Sequence, residues 1–333
     1  MKIYLIYLSN NYGGACQALL AFKKFLDEKG ISNQVICPEG PVLTPDIEIS
    51  NKKYKSILRV LFFILYKNTF KTDKKNFFFL NTIINAPFSI FKNTILWVHE
   101  TTLDGRSVMF MLFKLIANNF ARESYYVNNS MSLLFPKARL FEIPYNYLEN
   151  ICTSSTFIKS NEFIACMIVR PLNKKGINYF IKLSSQSNDN FVILTQPKLF
   201  HAYCHKNSLI VPDNLYVKDF NNIKTRKKIL SASTFHLNLS ELPETVGLNT
   251  IEAISYGCIC MSTNNAGSRL ILDKEYIIHG NSGDDLIINT KLLMTKFNSS
   301  KYKEINQKQY NKIFNKKFIT YTDTFLEDVL KKV

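Results

Sequence analysis

The sequence has no apolar run approaching the roughly eighteen residues needed to cross a bilayer. Its first residues, Met-Lys-Ile-Tyr-Leu-Ile-Tyr, lead straight into structural pattern with no cleavage site. A membrane-spanning or exported chain is therefore not expected, and a cytoplasmic one is. Paired cysteines are missing as well. The seven Cys residues, at 16, 37, 152, 166, 204, 258 and 260, are odd in number and scattered, without a C-x-x-C spacing. That disfavours disulfides or zinc and fits buried thiols in a reducing compartment. His201, Cys204 and His205 form the one cluster that hints at a metal; no second ligand pair accompanies it, so no metal is expected. The nicotinamide-type turn G-x-G-x-x-G does not occur.

Acidic residues are in short supply: 26 Asp and Glu stand against 42 Lys and Arg, for a formal net charge of +16. Such an excess asks for an anionic partner, whether nucleic acid, a membrane surface or a phosphorylated ligand. No zinc-finger, homeodomain or RNP-type signature accompanies it, which disfavours nucleic acid. A length of 333 residues with 46% hydrophobic content suits two medium globular domains, each able to bury a core.

Along the first half, short apolar runs alternate with helical periodicity. Residues 2–8 read as a strand, Gly13 and Gly14 as a turn, and residues 17–29 as a helix with Leu19, Leu20, Phe22, Phe25 and Leu26 on its apolar side. The absence of Cβ atoms at the Gly pair lets backbone approach a phosphate or sugar, or makes a tight turn and nothing more. Strands are expected over 34–37, 77–80, 94–98, 124–127 and 141–144, and a helix over 108–117. His99 follows the 94–98 strand, at the carboxyl end where α/β sheets place ligand contacts. Residues 51–75 carry Lys52, Lys53, Lys55, Arg59, Lys67, Lys71, Lys74 and Lys75 around the apolar run 57–66, with Asp73 the single acid. Such a segment either lies in an anionic membrane interface or is a buried helix with solvated basic flanks.

A linker rich in Thr, Ser and Asn is expected over 146–162. The second half opens with a strand over 163–169, then Arg170-Pro-Leu-Asn-Lys-Lys175-Gly176 and a helix over 177–183. A guanidinium at a strand end with an ammonium five residues on, at the turn into a helix, makes a diphosphate clamp. Strands are expected over 191–194, 214–217, 235–239 and 258–262, and a final helix over 320–333.

Between two of these strands stands Ser240-Glu-Leu-Pro-Glu244-Thr-Val-Gly-Leu-Asn-Thr-Ile-Glu252-Ala-Ile-Ser-Tyr-Gly257. With a helix start near Gly247, Val246, Gly247 and Leu248 bear N–H groups without intrahelical partners, where the dipole favours an anion such as a diphosphate. Glu252 falls among Ile251, Ala253 and Ile254, and a carboxylate there needs a hydrogen-bonding partner, which the hydroxyls of a sugar nucleotide would supply.

This stretch resembles the Glu-x7-Glu motif of retaining GT-B glycosyltransferases of the family-four, or "group 1", type. Arg170-x4-Lys175-Gly resembles the same family's basic motif, and the Gly13-Gly14 turn, His99 and Pro144-Tyr145-Asn146 fall where that family has comparable residues. Thr195-Gln196-Pro197, where a glycine turn is usual, and Arg269, where an acid is usual, depart from it.

The resemblance implies a GT-B fold. Its two Rossmann-like domains, 1–150 on the acceptor side and 160–315 on the donor side, face a cleft, and a helix in 316–333 returns to the first domain. It implies that Glu244 contacts the donor sugar, that Glu252 contacts the ribose and that His99 holds the sugar. Gly13, Gly14, Arg170, Lys175, Val246, Gly247 and Leu248 bind the rest of a UDP- or GDP-linked donor, with no cofactor and no metal. The acceptor is expected to be a saccharide, lipid-linked given the basic segment, with the enzyme peripheral on the inner face of the membrane. A sugar-nucleotide epimerase of the same fold and a non-catalytic binding module remain as alternatives, because fold does not fix function.

Overall fold

The computed structural model describes residues 2–7, 14–39, 43–48, 77–81, 94–99, 107–120, 123–127, 131–141, 143–144, 147–148, 151–152, 162–242, 244, 246–297 and 302–314. The basic segment 51–75, Gly13, most of the expected linker and the expected terminal helix over 320–333 lie outside the described residues. The chain divides into two compact units, unit 1 of residues 1–149 and 317–333 and unit 2 of residues 150–316.

Unit 1 is built on a parallel sheet of seven strands. These are β1 (Ile3–Ile6), β2 (Asn33–Cys37), β3 (Ile47–Glu48), β4 (Phe77–Asn81), β5 (Thr94–Val98), β6 (Glu123–Tyr126) and β7 (Arg139–Leu140), in the order β3-β2-β1-β4-β5-β6-β7. The sequences of β4, FFFLN, and β5, TILWV, are apolar without alternation because both faces of a parallel sheet are covered, and all ten residues are buried. Helix α1 (Gly14–Glu28) lays Leu19, Phe22 and Leu26 into this core, and α2 (Ser107–Phe120) follows β5. An aromatic cluster sits at the centre: Phe22 is 4.5 Å from Phe79, and Trp97 is 5.0 Å from Phe141, between ring centroids.

The strand expected over 141–144 is displaced: β7 ends at Leu140. Phe141 donates its N–H to the Tyr126 carbonyl at 2.9 Å, and its own carbonyl accepts the Trp97 indole N–H at 2.9 Å. Its side chain is one wall of the aromatic cluster, so its hydrophobicity marks a core anchor and not a further ladder position. Pro144, lacking an N–H, cannot extend a ladder either.

Unit 2 carries a parallel sheet of six strands, β8 (Phe163–Ile168), β9 (Phe191–Thr195), β10 (Leu215–Asp219), β11 (Ser233–Asn238), β12 (Ile259–Thr263) and β13 (Ile277–Ile278), in the order β10-β9-β8-β11-β12-β13. Its helices are α3 (Ile177–Ser185), α4 (Pro197–Lys206), α5 (Ile223–Ala232), α6 (Leu248–Ser255), α7 (Ala266–Ile271), α8 (Gly283–Phe297) and α9 (Tyr302–Phe314). The chain winds outward one way from β8 through β10, then restarts beside β8 with β11 and winds the other way. In a doubly wound sheet, such a reversal opens a crevice at the carboxyl ends of the two central strands.

One buried amide holds α9 to this sheet. Beyond β11, strand β12 is paired with β13 at Ser262 and Thr263. Gln309, 2% exposed, takes the place of a strand: its Oε1 accepts the Cys260 N–H at 2.9 Å, and its Nε2 donates to the Cys260 carbonyl at 3.0 Å. One turn earlier, Asn306 donates to the carbonyls of Ile254 and Cys258. Gln309→Met keeps the volume and orphans both backbone groups, each at about 1–3 kcal/mol. We expect urea unfolding of this variant to show a loss of roughly 2–4 kcal/mol with unchanged m-value; stability equal to that of the native chain would contradict this role.

Candidate functional site

The carboxyl ends of β8 and β11, the two strands at the reversal, lead into 169–176 and 239–247, the stretches that carry Arg170, Lys175 and Glu244. Their meeting is set by Gly176. It has φ +78°, and a Cβ there would stand 2.3 Å from the Leu239 carbonyl oxygen. No other residue lets the turn before α3 come so close to the end of β11. The Glu241 N–H donates to the Lys174 carbonyl at 2.8 Å and fastens the two loops together.

The side chains of Lys175 and Glu244 converge as a result. Lys175 Nζ lies 3.1 Å from Glu244 Oε1, and Asn238 Nδ2, at the tip of β11, donates to Glu244 Oε2 at 2.8 Å. The Glu244 carbonyl accepts the Gly267 N–H at 2.7 Å, so its backbone is tied to the start of α7. A Cβ on Gly267 would stand 3.0 Å from the Glu244 carbonyl oxygen and 3.1 and 3.2 Å from the Val246 and Gly247 nitrogens, tighter than ordinary contact. The carboxylate is thus aimed by three elements. About a fifth of each charged side chain remains exposed, 23% for Lys175 and 20% for Glu244.

Helix α6 begins next to this pair. Its N-cap Gly247 offers no side-chain cap, and its first turn holds no acid. Thr250 and Ile251 donate back to the Gly247 carbonyl, and Leu248 donates to the Val246 carbonyl at 3.0 Å. The N–H groups of Val246 and Gly247 have no acceptor among the described residues. Of the three positions expected to offer free donors, Val246 and Gly247 do so, while the Leu248 N–H is turned into a local bond. Asn249 Nδ2 donates to the Ile168 carbonyl at 3.2 Å, fixing the helix start against the end of β8. The result is a cation and unspent N–H dipoles at one sheet edge, a setting for a phosphate group. Arg170, two residues beyond β8, is exposed at the same edge.

Glu252 lies one turn into α6, and its need for a partner is met from within the protein. Arg226 Nε is 2.7 Å from Glu252 Oε1, with the two side chains 9% and 7% exposed. Burial pushes the carboxyl up to about 7, against the pull of Arg226 and Lys227. Arg226 was not among the expected site residues. It sits on α5 among Lys224, Lys227 and Lys228. The available signal was its spacing of three and four from Ile229 and Leu230, which places it on the buried stripe.

Gly14 and His99 belong to unit 1. Gly14 opens α1 in unit 1. His99 follows β5, buried edge-on against Trp97 at 4.3 Å between centroids. Burial lowers its pKa to about 3, so the imidazole is neutral at physiological pH. In α4, Cys204 is buried while His201 and His205 are exposed, and among the described residues no group of three His, Cys, Asp or Glu side chains is placed to hold a metal ion. No described helix is long and apolar enough to cross a membrane.

Neither a family model nor a curated protein matches the sequence. Solved structures match over essentially the whole length. A glycosyltransferase from Rickettsia africae superposes with a TM-score of 0.70 at 14% identity, covering 100% of this chain and 99% of that one. HepE from Anabaena, in complex with UDP and glucose, gives 0.70 at 16% identity with full coverage of both chains. WaaG, a glycosyltransferase involved in lipopolysaccharide biosynthesis, gives 0.70 at 12% identity and 99% of each chain. The fold is that of the GT-B glycosyltransferases. Identities this low establish the GT-B fold and leave activity to be argued from the site.

The buried carboxyl makes stability depend on pH. Between the ordinary value of 4.5 and the folded value of about 7, the unfolded chain releases a proton that the folded chain keeps. The stability contributed by Glu252 is therefore complete below pH 4.5 and is lost as the pH rises to about 7. Urea unfolding of native chain and Glu252→Gln across this range should give a stability difference that falls through the window and levels off above it. A difference independent of pH would contradict the assignment.

Proposed function

We propose that the chain is a retaining glycosyltransferase that moves a sugar from a nucleotide-diphospho-sugar to a saccharide acceptor. The observation that carries this reading is the 3.1 Å contact of Lys175 with Glu244 beside the uncapped start of α6. It puts a cation against a carboxylate whose chain runs on into a helix start with free N–H donors. A diphosphate at the helix start takes Lys175, with Arg170 nearby, as counter-charge, and Glu244 is then free to accept hydrogen bonds from donor-sugar hydroxyls. Glu252 serves the ribose, neutral His99 the sugar, and Gly13 and Gly14 the rest of the donor, as the resemblance has it.

In the chemistry we favour, the acceptor hydroxyl attacks the anomeric carbon on the face from which the diphosphate departs. The bond to the phosphate oxygen breaks, that oxygen takes the acceptor proton, and configuration is retained. The charge that develops on the diphosphate is met by Lys175, Arg170 and the α6 N–H groups, so this route asks for no metal. The UDP and glucose in the HepE structure support a UDP-linked donor in this reading, with a GDP-linked one next. A lipid-linked acceptor in surface-glycan assembly, met at the inner face of a membrane, follows from the basic segment 51–75 and agrees with the pathway named for WaaG.

Lys175→Ala and Glu244→Ala are expected to lower kcat/KM by about a hundredfold or more while leaving circular dichroism and the unfolding midpoint near native. A variant that keeps near-native turnover with the right donor would contradict the assignment. NMR of the anomeric proton separates transfer with retention from release of free sugar and from binding without turnover.

Membrane recruitment has its own test in liposome flotation. Recovery on anionic vesicles should exceed that on neutral ones, and Lys52→Gln, Lys53→Gln and Lys55→Gln combined should remove the excess. Equal recovery on both would contradict it.

A further inference from the structure

We propose that Arg226 is a positioning residue for nucleotide binding: by holding one oxygen of Glu252, it orients the other toward the ribose of the donor. The inference rests on the donor reading above and adds a residue to it.

Three observations support it. Arg226 Nε meets Glu252 Oε1 at 2.7 Å, and no described residue donates to Oε2. The same guanidinium reaches the loop after β10, its Nη1 3.5 Å from the Phe220 carbonyl. That loop is in turn fixed to the end of β9 by the Phe220 N–H, which donates to the Thr195 carbonyl at 3.0 Å. One side chain therefore spans two elements that border the carboxyl edge of the sheet: the loop at Phe220 and the first turns of α6. A planar fork makes two such contacts at fixed angles, and an ammonium does not.

The charged and titratable groups around Glu252 are Arg226 and Lys227 on α5, which favour its ionised form, and Cys258 beyond α6, which opposes it. Tyr256 borders the same carboxylate. Burial keeps the carboxyl near neutrality, so loss of the guanidinium moves its titration upward and leaves Glu252 protonated over more of the physiological range. A protonated Glu252 has one acceptor oxygen fewer for a ribose diol.

The test compares Arg226→Met, Arg226→Lys, Glu252→Gln and the double variant Arg226→Met/Glu252→Gln. It follows UDP and GDP affinity and the donor KM and kcat of the corresponding UDP- and GDP-sugars from pH 5.5 to 9. For Arg226→Met we expect a donor KM raised about tenfold with kcat within about twofold, the pattern of lost binding common to ground and transition states. Its acid limb in log(1/KM) should lie about one pH unit or more above that of the native chain. Arg226→Lys should restore the limb and part of the affinity. Glu252→Gln should lack the limb, and the double variant should bind no worse than Glu252→Gln alone.

If Arg226→Met melts earlier but keeps native KM and an unmoved acid limb, the pair is structural and the inference fails while the donor reading stands. If the native chain binds neither nucleotide, both fail. Should Arg226→Met not fold, Arg226→Lys and Glu252→Gln carry the test: identical pH profiles for these two and the native chain would overturn it.

Discussion

The close approach of Gly176 to the Leu239 carbonyl sets how two loops meet at the carboxyl edge of the second sheet. It brings the turn after β8 onto the end of β11, and the contacts between Lys174 and Glu241, and between Lys175 and Glu244, follow from that proximity. The reversal of winding direction between β8 and β11 supplies the place, since neighbouring strands whose chains depart in opposite senses leave a crevice that neither fills. The chain puts there a glycine in the left-handed conformation, a helix start with no capping side chain, and a carboxylate held by Lys175 and Asn238 whose backbone carbonyl accepts the Gly267 N–H.

Two of the unit's ion pairs, the ones that hold Glu244 and Glu252, are of opposite character. Lys175–Glu244 is part-exposed, and pairs of that kind contribute little to stability. A phosphate group can draw Lys175 away at small cost, which leaves the carboxylate available to a different partner. Arg226–Glu252 is buried, and opening it would leave a desolvated charge behind. The first pair is suited to exchange partners with a ligand, the second to keep its geometry throughout. The excess of basic residues along the whole chain adds a field that draws anions toward it.

Much of this was legible in the sequence because the relevant signals are local. Strands such as FFFLN and FVILT are unbroken apolar runs, and the helix start at Gly247 and the spacing of Arg170, Lys175 and Gly176 are short-range patterns. What escaped detection depends on tertiary placement. Phe141 read as strand because aromatic residues favour strands, yet its carbonyl is claimed by the Trp97 indole from another strand. Arg226 was hidden among lysines because burial of one cation in four is decided by where α5 lies against α6. Gln309 mimics a strand edge from within a helix, and no sequence period announces that. Glu252, read as needing a hydroxyl-bearing ligand, has a protein partner at one oxygen.

The central claim is that a diphosphate group occupies the start of α6 with Lys175 as its counter-charge. Thermal unfolding of the 333-residue chain with UDP, GDP, ADP and CDP tests it most directly. A nucleotide present at a hundred times its dissociation constant should stabilise the folded state by about 2.7 kcal/mol. We expect UDP or GDP to produce that shift in the native chain and to lose it in Lys175→Ala. No shift with any of the four, or an undiminished shift in Lys175→Ala, would contradict the account.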